Sequence, residues 1–342
     1  MRHFLLVFLA ALVGCVAGPG ATDSEPEGVV LMAEERPAEI PATGLTLEGV
    51  LSLPERVEGE DVPSVVFVHG SGPNSRDPSV GGQLNMYFGG VEVTPYSDVR
   101  DALVEAGVAV LLYDKRTCTT QGSLCANDYP IPSADVLVSD FAGDAVSASA
   151  WLREQDGIDP SGIVVVGHSQ GAALVPTILA EDIDLRGGVS LAGNYRPIDA
   201  LLRYQLDFSI ELMEESGASV TVIDSTLADL TEMVEALESL RAGTFAGTTV
   251  GGMPVPFWED WMAIGDARPG LMAAESRPIL SVIGDYDWNI PADPELPLWE
   301  EAGAEPLLLP CVTHALNCVT DEDYGDHVDP TLLEHLVEWL HR

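Results

Sequence analysis

Lysine is almost missing from this chain. Lys115 is the single one in 342 residues, and 15 basic residues stand against 55 acidic ones, a formal net charge of −40. A field of that sign repels phosphate backbones and anionic lipid, which excludes nucleic acid as a partner. The imbalance fits a protein kept soluble in high salt, or a coding bias that writes arginine for lysine. Charged residues of both signs make up only 20% of the chain and hydrophobic ones 46%, so it is not a disordered polymer. Collagen-like and heptad patterns are absent, as is any internal repeat. Long apolar runs are scarce too. The run from Phe4 to Ala17 holds fourteen residues, short of the roughly 20 that span a bilayer. The length suits one large α/β domain or two ordinary ones.

Arg2 and His3 ahead of that apolar run read as an export signal. Its end, Leu12-Val13-Gly14-Cys15, resembles the bacterial lipobox, which implies lipidation of Cys15. Residues 1–15 are then a lipoprotein-type signal and residues 16–38 a flexible tether, rich in Gly, Pro, Ser, Thr and Glu. The folded domain is expected over 39–342, held outside the cytoplasm, periplasmic or at the cell surface, and touching the membrane only through the lipid. Of five cysteines, four remain after Cys15, an even number that suits an oxidising compartment. Cys118 and Cys125, and Cys311 and Cys318, form two pairs with six residues between partners. Local disulfides 118–125 and 311–318 are the expected pairing, although four cysteines allow three. Zinc sites prefer two to four intervening residues, so no metal is expected.

Short β-branched runs at 64–70, 108–114, 163–167, 187–193, 278–285 and 306–310 alternate with helical patterns at 96–105, 135–155, 171–181, 296–302 and 331–341. Near-continuous apolar strands separated by helices predict a mostly parallel sheet covered on both faces. Residues 45–54 read as an antiparallel opening strand or hairpin. The alternation breaks over 195–276. There Ile223, Leu227, Leu230, Val234 and Leu237 make one apolar helix face, and Ile198–Met213 is a second amphipathic candidate. An insertion of this size, after the sixth strand, predicts a helical cap or lid, with the Gly- and Thr-rich segment 242–252 as its hinge and Trp258 and Trp261 as its apolar contacts.

Gly167-His168-Ser169-Gln170-Gly171 sits between a predicted strand and a predicted helix. G-x-S-x-G in that setting makes a tight turn that lifts the serine hydroxyl above the sheet edge, and the flanking glycines let strand and helix approach. A serine nucleophile needs a base and an orienting acid. His314 follows the last strand; His327, in the acidic loop 323–330, is the rival base. The segment 284–291 offers Asp285 and Asp287. The pattern Gly-x-x-Asp before an apolar residue and proline selects Asp287 and leaves Asp285 as a turn or cap residue. Oxyanion donors are expected from the backbone N–H of Gln170, at a helix start, and of Ser71, in the loop His69-Gly70-Ser71-Gly72-Pro73. Arg76, Asp77 and Arg116 are expected to form a salt-bridge cluster beneath that loop.

The segments HGSGPNSRD (69–77), YDKR (113–116), GHSQG (167–171), LAGNYRPID (191–199), GDYDWNIP (284–291) and CVTHALN (311–317) resemble the α/β-hydrolase superfamily. Within it the likeness is to bacterial serine carboxylesterases related to dienelactone hydrolases, and it covers nearly all of residues 40–342. The resemblance implies the α/β-hydrolase fold, Ser169, Asp287 and His314 as a triad, a helical cap, and a small-molecule ester substrate cleaved through an acyl-enzyme without any cofactor. Two departures stand out. The Cys118–Cys125 loop replaces the family's glycine-rich continuation after YDKR, and cysteines bracket the His314 loop. Dienelactone hydrolases proper use a cysteine nucleophile, where this chain has serine. Rival functions are a peptidase or acyl transferase with the same triad, and a catalytically silent, surface-anchored binding module.

Overall fold

The computed structural model describes residues 29–79, 91–118, 125, 129, 135–320 and 324–342. The proposed signal, Cys15 and the first part of the tether lie outside them. Eight strands build the central sheet: β1 (Glu34–Ala42), β2 (Leu45–Leu53), β3 (Val62–Val68), β4 (Ala109–Tyr113), β5 (Ile158–His168), β6 (Gly187–Leu191), β7 (Ile279–Gly284) and β8 (Glu305–Leu309). Their spatial order is β8-β7-β6-β5-β3-β4-β2-β1. The pairs from β4 through β8 are parallel, while β2 runs antiparallel to both β4 and β1.

Period-two alternation sorts the strand side chains into two cores. Val66, Val68 and Val165 face one side, where α2 (Val138–Leu152) and α3 (Gln170–Glu181) pack with Phe141 and Leu174. Val65, Phe67, Val164 and Val166 face the other, against α1 (Pro95–Glu105) and α8 (Pro330–Leu340), through Val99, Leu103 and Leu336. The mostly parallel, doubly covered sheet predicted from the apolar runs is therefore present.

The domain begins earlier than residue 39. Glu34–Ala42 is a full edge strand whose partner is β2, so the tether assigned to 16–38 overran into the sheet. Pro37, Pro41 and three glutamates disguised it. On an edge strand one side needs no N–H donors, and prolines four residues apart leave the same side bare. Ala38 and Ile40 still alternate inward and are buried.

Between β6 and β7 stand three helices: α4 (Ile198–Glu215), α5 (Val220–Arg241) and α6 (Val255–Ala274). On α5, Ile223, Val234 and Leu237 of the apolar stripe are buried. The segment proposed as a hinge enters a short hairpin, Thr249–Val250 against Met253–Pro254. Helix α6 was not legible as a helix. It carries Pro269 inside it and has apolar residues all round, because it packs on both α2 and α3. Gly265 lets it lie against Pro197, where a Cβ would come within 2.6 Å of the proline Cα. Arg268, buried on α6, donates to the carbonyls of Tyr195 and, at 2.9 Å, of Ala173, which fixes the helix to the body. The remaining helix, α7 (Ala292–Glu301), buries Trp299 beside β7. A hairpin of Asn317–Val319 with Tyr324–Val328 lies where the sequence read as loop.

Candidate active site

The triad and oxyanion candidates follow the C-terminal ends of parallel strands, the edge where open α/β sheets carry their sites. Ser71 comes after β3, Ser169 after β5, Asp287 after β7 and His314 after β8. Ser169 occupies the left-handed region with φ 55° and ψ −115°, a conformation costing a non-glycine residue about 1–3 kcal/mol. Close approach enforces it. A Cβ on Gly167 would overlap the Gly171 carbonyl, and one on Gly171 would overlap the Val68 carbonyl of β3. Both positions demand glycine, and the serine between them is squeezed upward.

His314 Nε2 lies 3.0 Å from Ser169 Oγ, and Nδ1 lies 2.9 Å from Asp287 Oδ2. The Asp287 side chain is fully buried. Its Oδ1 accepts the backbone N–H of Asn289 at 2.9 Å and of Ile290 at 2.8 Å, which fixes the orientation of the carboxylate. The carboxylate requires a proton on Nδ1, which leaves Nε2 bare to accept from the serine hydroxyl. Asp285 is neither the triad acid nor a local cap: its carboxylate accepts the Cys311 N–H at 2.6 Å, tying the start of the His314 loop to the end of β7. His327 is 75% exposed and pairs with Asp98 of α1 at 3.3 Å, apart from the serine.

The loop carrying His314 is closed by the Cys311–Cys318 disulfide, with Cα atoms 4.8 Å apart. The other pair, Cys118–Cys125, is joined with Cα atoms 6.0 Å apart. Neither pair offers thiolates to a metal. Thr313 N–H donates to Asn317 O at 2.9 Å across the base of the loop.

Two residues that motif reading passed over orient this loop from below. Gly70 N–H donates to Tyr96 Oη at 2.9 Å, so the tyrosine's own proton points to His168 Nδ1, 3.1 Å away. His168 Nε2 then donates to the His314 carbonyl at 2.8 Å. Burial pushes the His168 imidazole down to about 3, with the nearby His314 adding to the effect, so it stays neutral in the single tautomer this chain of bonds requires. One signal was visible: His168 is locked into the same tight turn as Ser169.

Ser71 and Gln170 line the same cavity as Ser169 and His314. Gly72 has φ +97°, and Asn74 Nδ2 donates to the carbonyls of Gly70 and Ser71, both at 3.0 Å. The expected Arg76–Asp77–Arg116 cluster is not formed. Arg76 makes a two-pronged pair with Asp114 at 2.9 and 2.7 Å, Arg116 pairs with Asp144 at 2.7 and 2.5 Å, and Asp77 accepts from the Ser97 hydroxyl. An aspartate follows Tyr113 directly and another comes from α2, so each arginine finds a nearer partner than Asp77.

The cavity over Ser169 holds about 360 Å³. Leu201 and Gln205 of α4, Met233 of α5, and Trp258 and Trp261 of α6 roof it. The two tryptophan rings stack with centroids 5.7 Å apart. A second chamber of about 470 Å³ is lined by the same two tryptophans with Phe141, Met253, Phe257 and Lys115, and it shares Ser71 and Gln170 with the first. A hydroxyl, an imidazole and a carboxylate in line beside backbone donors and an apolar chamber can perform acyl transfer.

A family model described as the alpha/beta hydrolase family matches residues 65–338. Esterase EstD of Thermotoga maritima is 27% identical over 291 residues, covering 81% of this chain and 62% of its own length. This chain thus spans less than two thirds of that relative. Among solved structures, the alpha/beta hydrolase GrgF from Penicillium sp. sh18 superposes with a TM-score of 0.55 at 18% identity, over 91% of this chain and 99% of its own. Est1E from Butyrivibrio proteoclasticus gives 0.50 at 15% identity, over 89% and 95%. At these identities the two structures speak for the fold.

Proposed function

The chain belongs to the alpha/beta hydrolase family, and from that premise we propose that it is a serine carboxylesterase. The observation that carries the reading is the continuous hydrogen-bond line from Ser169 Oγ through His314 to Asp287, opening into a roofed cavity. The likeness to a protein named an esterase adds support.

In this reading Ser169 Oγ attacks the ester carbonyl carbon while its proton passes to His314 Nε2. Asp287 stabilises the imidazolium that forms. The carbonyl oxygen becomes an oxyanion facing the N–H groups of Ser71 and Gln170. Collapse breaks the bond to the alcohol, which leaves with the proton from His314. Water then repeats the sequence on the acyl-enzyme and releases the acid. The alcohol oxygen must lie within reach of His314, so the alcohol occupies the chamber that imidazole lines. The acyl group then takes the larger, aromatic chamber beyond Ser71 and Gln170, which fits a bulky apolar acid.

A fluorophosphonate probe tests the nucleophile: it should label wild-type protein at Ser169 and leave Ser169→Ala unlabelled. Asp287→Asn should lower kcat by about 10⁴-fold with the fold intact. Across p-nitrophenyl esters, kcat/KM should rise from acetyl to longer or aryl acyl groups. An unlabelled wild type would sink the reading. The export reading remains part of the proposal, with two disulfides in its favour. Incorporation of a labelled fatty acid, lost in Cys15→Ala, tests it.

A further inference from the structure

The only lysine in the chain is buried against the active site. Lys115 follows β4 and is 4% exposed. Its Nζ donates to the Gly70 carbonyl at 2.6 Å and to Gln170 Oε1 at 2.7 Å, and lies 4.2 Å from the centre of the Phe141 ring. Both acceptors belong to the units that carry the two backbone donors of the oxyanion site. The Gly70 carbonyl and the Ser71 N–H are the two ends of one planar peptide, and in a trans peptide they point in opposite directions. A cation drawing the carbonyl one way turns the N–H the other way. It also polarises the amide, which strengthens that N–H as a donor. Through the Gln170 side chain the same ammonium fixes the residue whose N–H opens α3.

We propose that Lys115 is the positioning residue of the oxyanion site, an ammonium clamp that orients and polarises the Gly70–Ser71 peptide and ties it to Gln170. This rests on the esterase reading above. A lysine that merely filled space would not need to be a cation, and would be replaceable by an apolar side chain of its length. A clamp acts through its charge and its two hydrogen bonds. Among the described residues, the groups facing Lys115 leave that charge unneutralised by a close partner. Asp144 of α2 is committed to Arg116. His69 and Tyr113, at the ends of β3 and β4, border the same small space and are held neutral by burial. Gln170 carries no charge. Burial lowers the ammonium to about 7, against a smaller opposing pull from Asp144, so the clamp weakens as pH rises past neutrality.

The test uses the full chain with a p-nitrophenyl ester, comparing wild type, Lys115→Met and Lys115→Arg. Lys115→Met should lower kcat by about 10- to 100-fold, with KM changed less than about threefold, a smaller loss than the roughly 10²- to 10³-fold that outright removal of an oxyanion donor costs. Its affinity for a boronic acid that mimics the tetrahedral adduct should fall by the same factor as kcat. Wild-type kcat should decline on the alkaline side of neutrality. Lys115→Arg, which keeps its charge, should move that decline to higher pH. Should Lys115→Met not fold, the wild-type and Lys115→Arg profiles decide alone: a shared alkaline decline overturns the clamp. A folded Lys115→Met with kcat within about twofold of wild type overturns it too. Fluorophosphonate labelling separates the layers. An unlabelled wild-type serine defeats the esterase reading, and the clamp with it. A labelled, active wild type beside an unimpaired Lys115→Met defeats the clamp alone.

Discussion

Tyr96 and His168 never meet a substrate in the proposed reaction, yet the catalytic imidazole depends on them. The Tyr96 hydroxyl joins the oxyanion loop, through Gly70 N–H, to His168, which in turn holds the His314 carbonyl. Removing that hydroxyl leaves a buried N–H and a buried imidazole nitrogen without partners. Tyr96→Phe should therefore cost about 1–3 kcal/mol of stability, read as a lower denaturation midpoint, and should lower kcat more than it raises KM. An unchanged midpoint would mean that these bonds are replaced elsewhere. The serine and the glycines around it were readable in the sequence because their requirement is steric and local. Asp287 and His314 were readable because each follows a strand whose apolar run gave it away. The roles of Tyr96, His168 and Lys115 were not, since each rests on contacts between residues 26 to 146 positions apart.

At the scale of elements, the His314 loop is a ring of eight residues closed by Cys311–Cys318. A cross-link over so short a loop contributes roughly 2–3 kcal/mol on the chain-entropy account. Its larger consequence is local, because the ring holds the base at the sheet edge. Mild reduction, or the double substitution Cys311→Ala with Cys318→Ala, should lower kcat before far-ultraviolet circular dichroism reports any loss of helix. Equal kcat in reductant would show that Thr313, Asn317 and His168 hold the loop unaided. The cap divides unevenly. Helix α5 announced itself by spacing, since one face is wet and one dry. Helix α6 is contacted on several sides and has no such face, so periodicity had nothing to report. Edge strand β1 was lost for the opposite reason: proline and glutamate argue against a strand in general, and only its position at the sheet border makes them permissible.

For the whole molecule, acid should be the weak direction. His69 and His168 are both buried, and burial lowers each to about 3, from the roughly 6.5 of an unfolded chain. Between those values the unfolded state binds more protons, so stability rises with pH. The contribution is complete above about pH 6.5 and drains away as pH falls toward 3. Thermal midpoints measured from pH 8 to pH 4 should fall through that window, and His168→Gln should flatten the fall; a midpoint constant over the window would contradict the burial of these rings. The sequence by itself determined the sheet, the helices that cover it and the elbow around Ser169, because apolar periodicity and steric demand are properties of neighbours along the chain. Only the tertiary structure decided where the domain starts, which arginine meets which carboxylate, how α6 seats itself, and that the one lysine lies under the Gly70–Ser71 peptide. Those outcomes depend on which surfaces are left to share a buried space once the sheet has formed, and no local pattern encodes that choice.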